Sequence, residues 1–186
     1  VPLSLYSKCK LESEKIILNN YKNTIPVILR LATLFGISPR MRFDLALNFM
    51  VANAYFKKRI VVEGGRQWRP FLHLKDASEA FKFLLLADED KVRGEIFNIG
   101  SPKNNIKIEN LAEEIGRVVD GGVLITRRHR LDKRDYKIDF NKLELGLKLV
   151  FKTDIIDGIK EIANVIFQYP DYEDDKYYNV KYAFKE

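Results

Sequence analysis

Between Ile25 and Leu34 the chain runs Ile-Pro-Val-Ile-Leu-Arg-Leu-Ala-Thr-Leu, dense in branched apolar residues, and the run stops at Gly36. A strand this apolar has no polar face to offer water, so it resembles a strand of a parallel sheet, covered on both faces. Parallel strands need neighbours joined by crossover helices. The rest of the sequence offers both.

Ser4 to Asn20 is rich in helix-forming Leu, Lys and Glu, with apolar residues at Leu5, Cys9, Ile16 and Ile17, and predicts a helix capped by Ser4 and broken at Asn19-Asn20. Asp44 is placed to cap a second helix running to about Lys57. Arg59–Val62 and Trp68–Leu74 predict short strands around Gly64-Gly65. Asp76-Ala-Ser-Glu79 has capping-box spacing and predicts a helix through Leu86, followed by a buried strand over Glu95–Ile99. Apolar residues from Ile108 to Val119 and from Ile155 to Ile166 keep helical spacing. Strands alternate with helices, which makes the class α/β.

A chain of 186 residues can bury one sizeable core or two small ones, and 46% hydrophobic with 31% charged residues is globular, not disordered, composition. The single cysteine, Cys9, excludes an internal disulfide and a zinc cluster, and points to a cytosolic setting. No apolar run reaches the roughly 18 residues of a membrane span, so no insertion into a membrane is expected and the chain reads as soluble. The charge of +6 suits an anionic partner without choosing among nucleic acid, a membrane surface and a phosphorylated small molecule. From Tyr169 onward the chain turns acidic and tyrosine-rich, as a flexible or surface-hugging end would.

Tyr6 and Lys10 stand four apart, so on a helix they share a face and can meet one reacting group. A nearby ammonium favours the phenolate and makes the phenol a usable acid or base. The spacing alone is unspecific, because Tyr172 with Lys176 and Tyr177 with Lys181 repeat it. The order of landmarks is far more specific. Tyr6-Ser-Lys-Cys-Lys10, with Glu12 and Glu14 on the same helix, precedes Val27-Ile-Leu-Arg-Leu-Ala-Thr33-Leu-Phe-Gly36. Arg69-Pro-Phe-Leu-His73-Leu-Lys-Asp76 follows, then Phe97-Asn-Ile-Gly100, then Lys133-Arg134-Asp135 ahead of Leu145-Gly-Leu147. In this order the chain resembles the C-terminal part of extended short-chain dehydrogenases, the NAD-dependent nucleotide-sugar epimerases and dehydratases.

The resemblance implies the C-terminal part of a doubly wound, Rossmann-like parallel sheet plus a smaller α/β lobe that binds substrate. Residues 1–36 and 76–100 would belong to the dinucleotide half, and residues 37–75 and 101–186 to the nucleotide-sugar lobe. Tyr6 would exchange a proton with the sugar, and Lys10 would hold the ribose of a tightly bound NAD and bias the phenol. Thr33 sits where relatives often carry an asparagine facing the substrate. Asn48 would touch the nucleotide, Arg69 and Arg134 would grip the diphosphate of a nucleotide-diphosphate sugar, and Asp135 would reach a ribose hydroxyl. Arginine suits that grip because its planar fork pairs two phosphate oxygens at once.

Plainer roles stand beside these. Arg69 also fits an exposed strand residue, and Arg134 lies in the run Arg127-Arg-His-Arg-Leu-Asp-Lys-Arg134, where most members of such a run are solvated. His73 is expected to make a structural hydrogen bond and Trp68 to serve the core. Gly64-Gly65 and Gly121-Gly122 lack the spacing of a dinucleotide-binding turn. No such turn and no carbonyl-polarising Ser or Thr precede Tyr6, so the chain by itself is expected to be catalytically incompetent. Epimerase and dehydratase stay undivided. The resemblance is compatible with a homodimer, and the rival classes are a cofactor-free binding module and, on charge alone, a nucleic-acid binder.

Overall fold

In the computed structural model, which describes residues 4–119, 121–128 and 134–179, the apolar run forms two strands instead of one. Strand β1 (Ile28–Leu31) pairs in parallel with β5 (Ile96–Ile99), and β2 (Thr33–Phe35) pairs in parallel with β4 (Trp68–His73). Ala32 is the changeover; its N–H still reaches Ile99 O at 3.0 Å, after which the chain takes β4 as its neighbour. Strand β4 also pairs, antiparallel, with β6 (Asn105–Lys107), and β3 (Arg59–Glu63) pairs in parallel with β7 (Leu124–Arg128).

The strand pair at the centre divides two hydrophobic cores. Side chains alternate across a strand, and so Phe35 and Phe71 enter one core while Leu34 and Leu72 pack in the other. The first core takes Leu47 and Val51 from helix α2 (Ala46–Lys57), Leu111 and Ile115 from α5 (Ile108–Val118), and Ile159 and Ile162 from α7 (Ile155–Val165). The second takes Ala80 and Leu84 from α3 (Leu74–Leu85), Val92 from α4 (Glu89–Val92), Phe97 and Ile99 from β5, and Leu143 from α6 (Asn141–Leu147). Burying each such large apolar side chain is worth about 1.5–3 kcal/mol before entropy is counted.

Local details depart from the sequence expectations for physical reasons. Asp44 does not cap α2: Arg42 binds both of its carboxylate oxygens at 2.9 and 2.6 Å, and Leu45 stands at the cap position without a side-chain bond. Helix α3 begins two residues before Asp76, because His73 Nδ1 accepts the N–H of Lys75 at 3.2 Å and serves as the cap. Asp76 falls inside the first turn, where a carboxylate suits the helix dipole, and it accepts from Thr153 Oγ1 at 2.9 Å.

Strand β1 is only half-buried. It has β5 on one edge, and helix α1 (Leu5–Asn20) buries none of its own side chains. Arg30 of β1 ties the two together by donating to both carboxylate oxygens of Glu14 at 2.9 and 2.5 Å. The tyrosine-rich end hugs the surface. Phe43 is ringed by Tyr169, Tyr172 and Tyr177 at centroid distances of 5.8, 5.7 and 5.4 Å, and Tyr172 is buried with its hydroxyl 2.8 Å from Asn53 Oδ1.

Candidate active site

Ser4 opens α1 through a reciprocal capping box with Ser7, fixing where the first turn starts and therefore which way Tyr6 and Lys10 face. The two side chains share that face as their spacing predicts: Lys10 Nζ lies 5.7 Å from the centroid of the Tyr6 ring. Both are exposed, Tyr6 at 71%. A phenol hydroxyl and an ammonium presented side by side can exchange a proton with one group while donating to another.

Thr33 opens β2 opposite Phe71 and is half-buried. Asn48 is 2% exposed, and both ends of its amide are engaged by backbone: Nδ2 donates to Arg42 O at 3.0 Å and Oδ1 accepts from Gly36 N at 3.4 Å. It staples the turn after β2 to the start of α2, beside a small cavity of about 70 Å³ that Arg42 and Leu74 also line. Gly36 has φ +117, in the region that favours glycine, and a Cβ there would stand 2.7 Å from His73 Nε2. Burial opposes ionisation of Asp44, but the Arg42 guanidinium and the Asn179 N–H outweigh it and hold the carboxyl below its ordinary value.

His73 is buried between β2 and α7. Because Nδ1 accepts a backbone N–H, the neutral ring carries its proton on Nε2, which lies 3.2 Å from Glu161 Oε2 outside hydrogen-bond geometry. Glu161 Oε1 in turn accepts the N–H of Ile37 at 3.2 Å. Among the described residues no group of three or more His, Cys, Asp or Glu is placed to hold a metal ion.

At the start of β4 the structure gathers Arg69, Arg134 and Asp135 from segments 65 residues apart. Arg69 Nη1 donates to Trp68 O at 2.7 Å and to Arg134 O, and Asp135 Oδ1 accepts the N–H of Trp68 at 2.9 Å. Arg69 is half-buried, whereas Arg134 and Asp135 are exposed. Among the described residues, no hydrogen bond or ring contact joins Tyr6 or Lys10 to this cluster. Lys133, expected to precede the pair, lies outside the described residues.

Sequence reasoning left out the rings of this cluster. Trp68 is half-buried, with Lys137 Nζ 3.7 Å and Lys107 Nζ 5.8 Å from its centroid, and Tyr136 lies under the Arg69 guanidinium at 5.4 Å. The only sequence signal was an aromatic residue followed by a cation in both segments, Trp68-Arg69 and Tyr136-Lys137.

Three parallel strand pairs, with helices along the chain between their strands, define an α/β protein of Rossmann-like build. Residues 1–100 match the family model described as the NAD dependent epimerase/dehydratase family, and the chain belongs to that family. It is 38% identical over 58 residues to UDP-D-apiose/UDP-D-xylose synthase 2 of Arabidopsis thaliana, which is 31% of this chain and 15% of that protein. Its fold is like that of a UDP-glucuronic acid 4-epimerase from Bacillus cereus, solved with UDP-glucuronic acid and NAD, at TM-score 0.79 and 24% identity over 90% of this chain and 54% of that one. A dTDP-glucose 4,6-dehydratase from Bacillus anthracis, solved with NAD, gives TM-score 0.75 and 24% identity over 96% of this chain and 55% of that one. The chain thus spans about half the length of these solved structures. Among the described residues no helix is long and apolar enough to cross a membrane.

Proposed function

We propose that this chain carries the proton-transfer pair and the nucleotide-sugar contacts of an enzyme that epimerises or dehydrates a nucleotide-diphosphate sugar. The observation that carries this reading is the convergence of Arg69, Arg134 and Asp135 at the mouth of β4, downstream of a helix that presents Tyr6 and Lys10 together. Two arginines brought together from distant segments supply the cations a diphosphate needs, and a diphosphate is better matched by guanidinium forks than by lysines.

Tyr6 moves a proton between its hydroxyl and the sugar oxygen, and the Lys10 ammonium stabilises the phenolate that this leaves. The exposed hydroxyl and ammonium also fit the hydroxyls of a nicotinamide ribose, so Tyr6 and Lys10 would hold that end of NAD. When bound, NAD supplies hydride transfer at the sugar carbon. Asn48 and Thr33 belong to the substrate side, Asn48 by fixing the segment from Gly36 to Arg42, and Asp135 to the ribose end of the nucleotide. On this reading residues 1–36 and 76–100 serve the dinucleotide half and residues 37–75 and 101–186 the sugar-nucleotide lobe. A cytosolic setting and a homodimer are compatible with this reading.

The test is binding of UDP and dTDP to the intact protein at fixed salt. Arg69→Ala or Arg134→Ala each removes charge-assisted contacts worth about 1.5–3 kcal/mol, so affinity should fall about 10- to 150-fold. Lysine at either position should restore only part of the loss, since it returns charge without the two-pronged geometry. Arg128→Ala, an exposed residue of β7, is the control and should change little. Equal small losses at all three positions would mean a diffuse basic surface and would remove the support for a sugar-nucleotide site.

A further inference from the structure

We propose that Tyr136 is a positioning residue that pre-orders the anion site, by setting its ring against the guanidinium of Arg69 on the opposite segment. This rests on the reading of Arg69 as a diphosphate ligand and adds to it the device that holds Arg69 ready. The contacts are reciprocal. Trp68 and Arg69 are consecutive on β4, Tyr136 and Lys137 are consecutive on the facing segment, and each ring takes the other segment's cation: Lys137 over Trp68 at 3.7 Å, Arg69 over Tyr136 at 5.4 Å. The Trp68 N–H to Asp135 bond and the Arg69 bond to Arg134 O close the same seam from the backbone side.

The arrangement matters because of how a guanidinium binds. A ring occupies the face of the guanidinium plane, whereas hydrogen bonds to phosphate leave from its edge. The Tyr136 ring, with its centroid 5.4 Å from the Arg69 guanidinium carbon, therefore restricts how that side chain can swing while leaving edge donors to an anion. A long basic side chain already held in one orientation loses less freedom when an anion arrives. Tyr136 is 46% exposed, so the ring lies at the rim of the cluster and can be changed without opening a core.

The experiment is calorimetric titration of the intact protein with UDP and with dTDP, at one salt concentration, for Tyr136→Leu, Tyr136→Phe, Arg69→Ala and the double variant Tyr136→Leu/Arg69→Ala. Tyr136→Leu should weaken binding about 2- to 5-fold, the range of an exposed cation–π contact, and Tyr136→Phe, which keeps the ring, should stay within about twofold of the parent. In the Arg69→Ala background, Tyr136→Leu should add no further loss, because the cycle isolates the coupling between the two. Unchanged affinity for Arg69→Ala would overturn the diphosphate site itself. A clear loss for Arg69→Ala with none for Tyr136→Leu, or a Tyr136→Leu loss that persists without Arg69, would overturn the positioning role alone. Failure of Tyr136→Phe to retain affinity would also overturn it, by assigning the effect to the hydroxyl instead of the ring.

Discussion

Gly158 on α7 permits the closest approach between that helix and β2, and replacing it with alanine tests whether the first core is packed as described. A Cβ at this position would stand 2.2 Å from Phe35 Cε2, 2.9 Å from Phe35 Cδ2 and 3.2 Å from His73 Cδ2. Carbon atoms in contact sit about 3.5–4.0 Å apart, so the ring would have to withdraw by more than an ångström. It has nowhere to go: Phe35 is fully buried and held edge-on by Phe71 at 6.2 Å and by His73 at 5.1 Å. Overpacking of this kind costs about 1–3 kcal/mol, and a clash this deep belongs at the upper end. Alanine returns up to about 1 kcal/mol in helix propensity. The net loss should be about 2 kcal/mol, read as a lower urea midpoint with an unchanged slope, or as a melting temperature lowered by about 4–8 °C. Phe35→Leu in the same chain should relieve part of the loss, giving a double variant more stable than the sum of the singles requires. A Gly158→Ala protein as stable as the parent would refute the close packing of α7 on β2.

Tyr6→Phe in the intact protein should nearly abolish turnover while leaving nucleotide-sugar affinity within severalfold, since it removes an acid–base hydroxyl and little binding surface; unchanged turnover would show the helix to be misassigned. Ser4→Ala removes the capping box, worth about 0.5–2 kcal/mol, but α1 buries no side chain, so the loss should show as faster amide exchange in the first turn of α1 and not as a lower global melting temperature. Burial, reinforced by the charge of Glu173, pushes the Tyr178 phenol up to about 12. An unfolded tyrosine ionises near 10, so the stability this group contributes is intact below about pH 10 and is lost as pH rises toward 12. Alkaline titration followed by tyrosinate absorbance should show the tyrosine-rich end releasing in that window, and release near neutral pH would contradict the packing around Phe43.

Much of the fold was legible where local signals were strong. Ser4 and the Asn19-Asn20 break bracket α1, and β4 and β5 fall within a residue or two of their expected bounds. The division of the apolar run at Ala32 was not legible, because it follows from a change of pairing partner that only the assembled sheet supplies. Strand β7 was hidden for a different reason: Arg127 and Arg128 give its end the look of a basic surface run, and it is the ladder with β3 that makes it a strand. The start of α3 moved because histidine took the capping role that the Asp76 spacing had suggested for a carboxylate. At the site, spacing placed Tyr6 and Lys10 on one helix face, but the order of landmarks was needed to single them out from the same spacing at Tyr172-Lys176 and Tyr177-Lys181. Arg69 and Arg134 likewise could be paired only through the order of landmarks, and the ring beside Arg69 needed the tertiary structure.

The alternation along β4 has an evolutionary consequence. Since Phe71 answers to one core and Leu72 to the other, each core can exchange its residues over generations without regard to its neighbour. Length is another matter: one residue gained or lost between Arg69 and Leu72 would swap the occupants of both interiors at once and shift Arg69 along the strand. Descendants of this chain are therefore free to vary the lettering of that strand but not its spelling length.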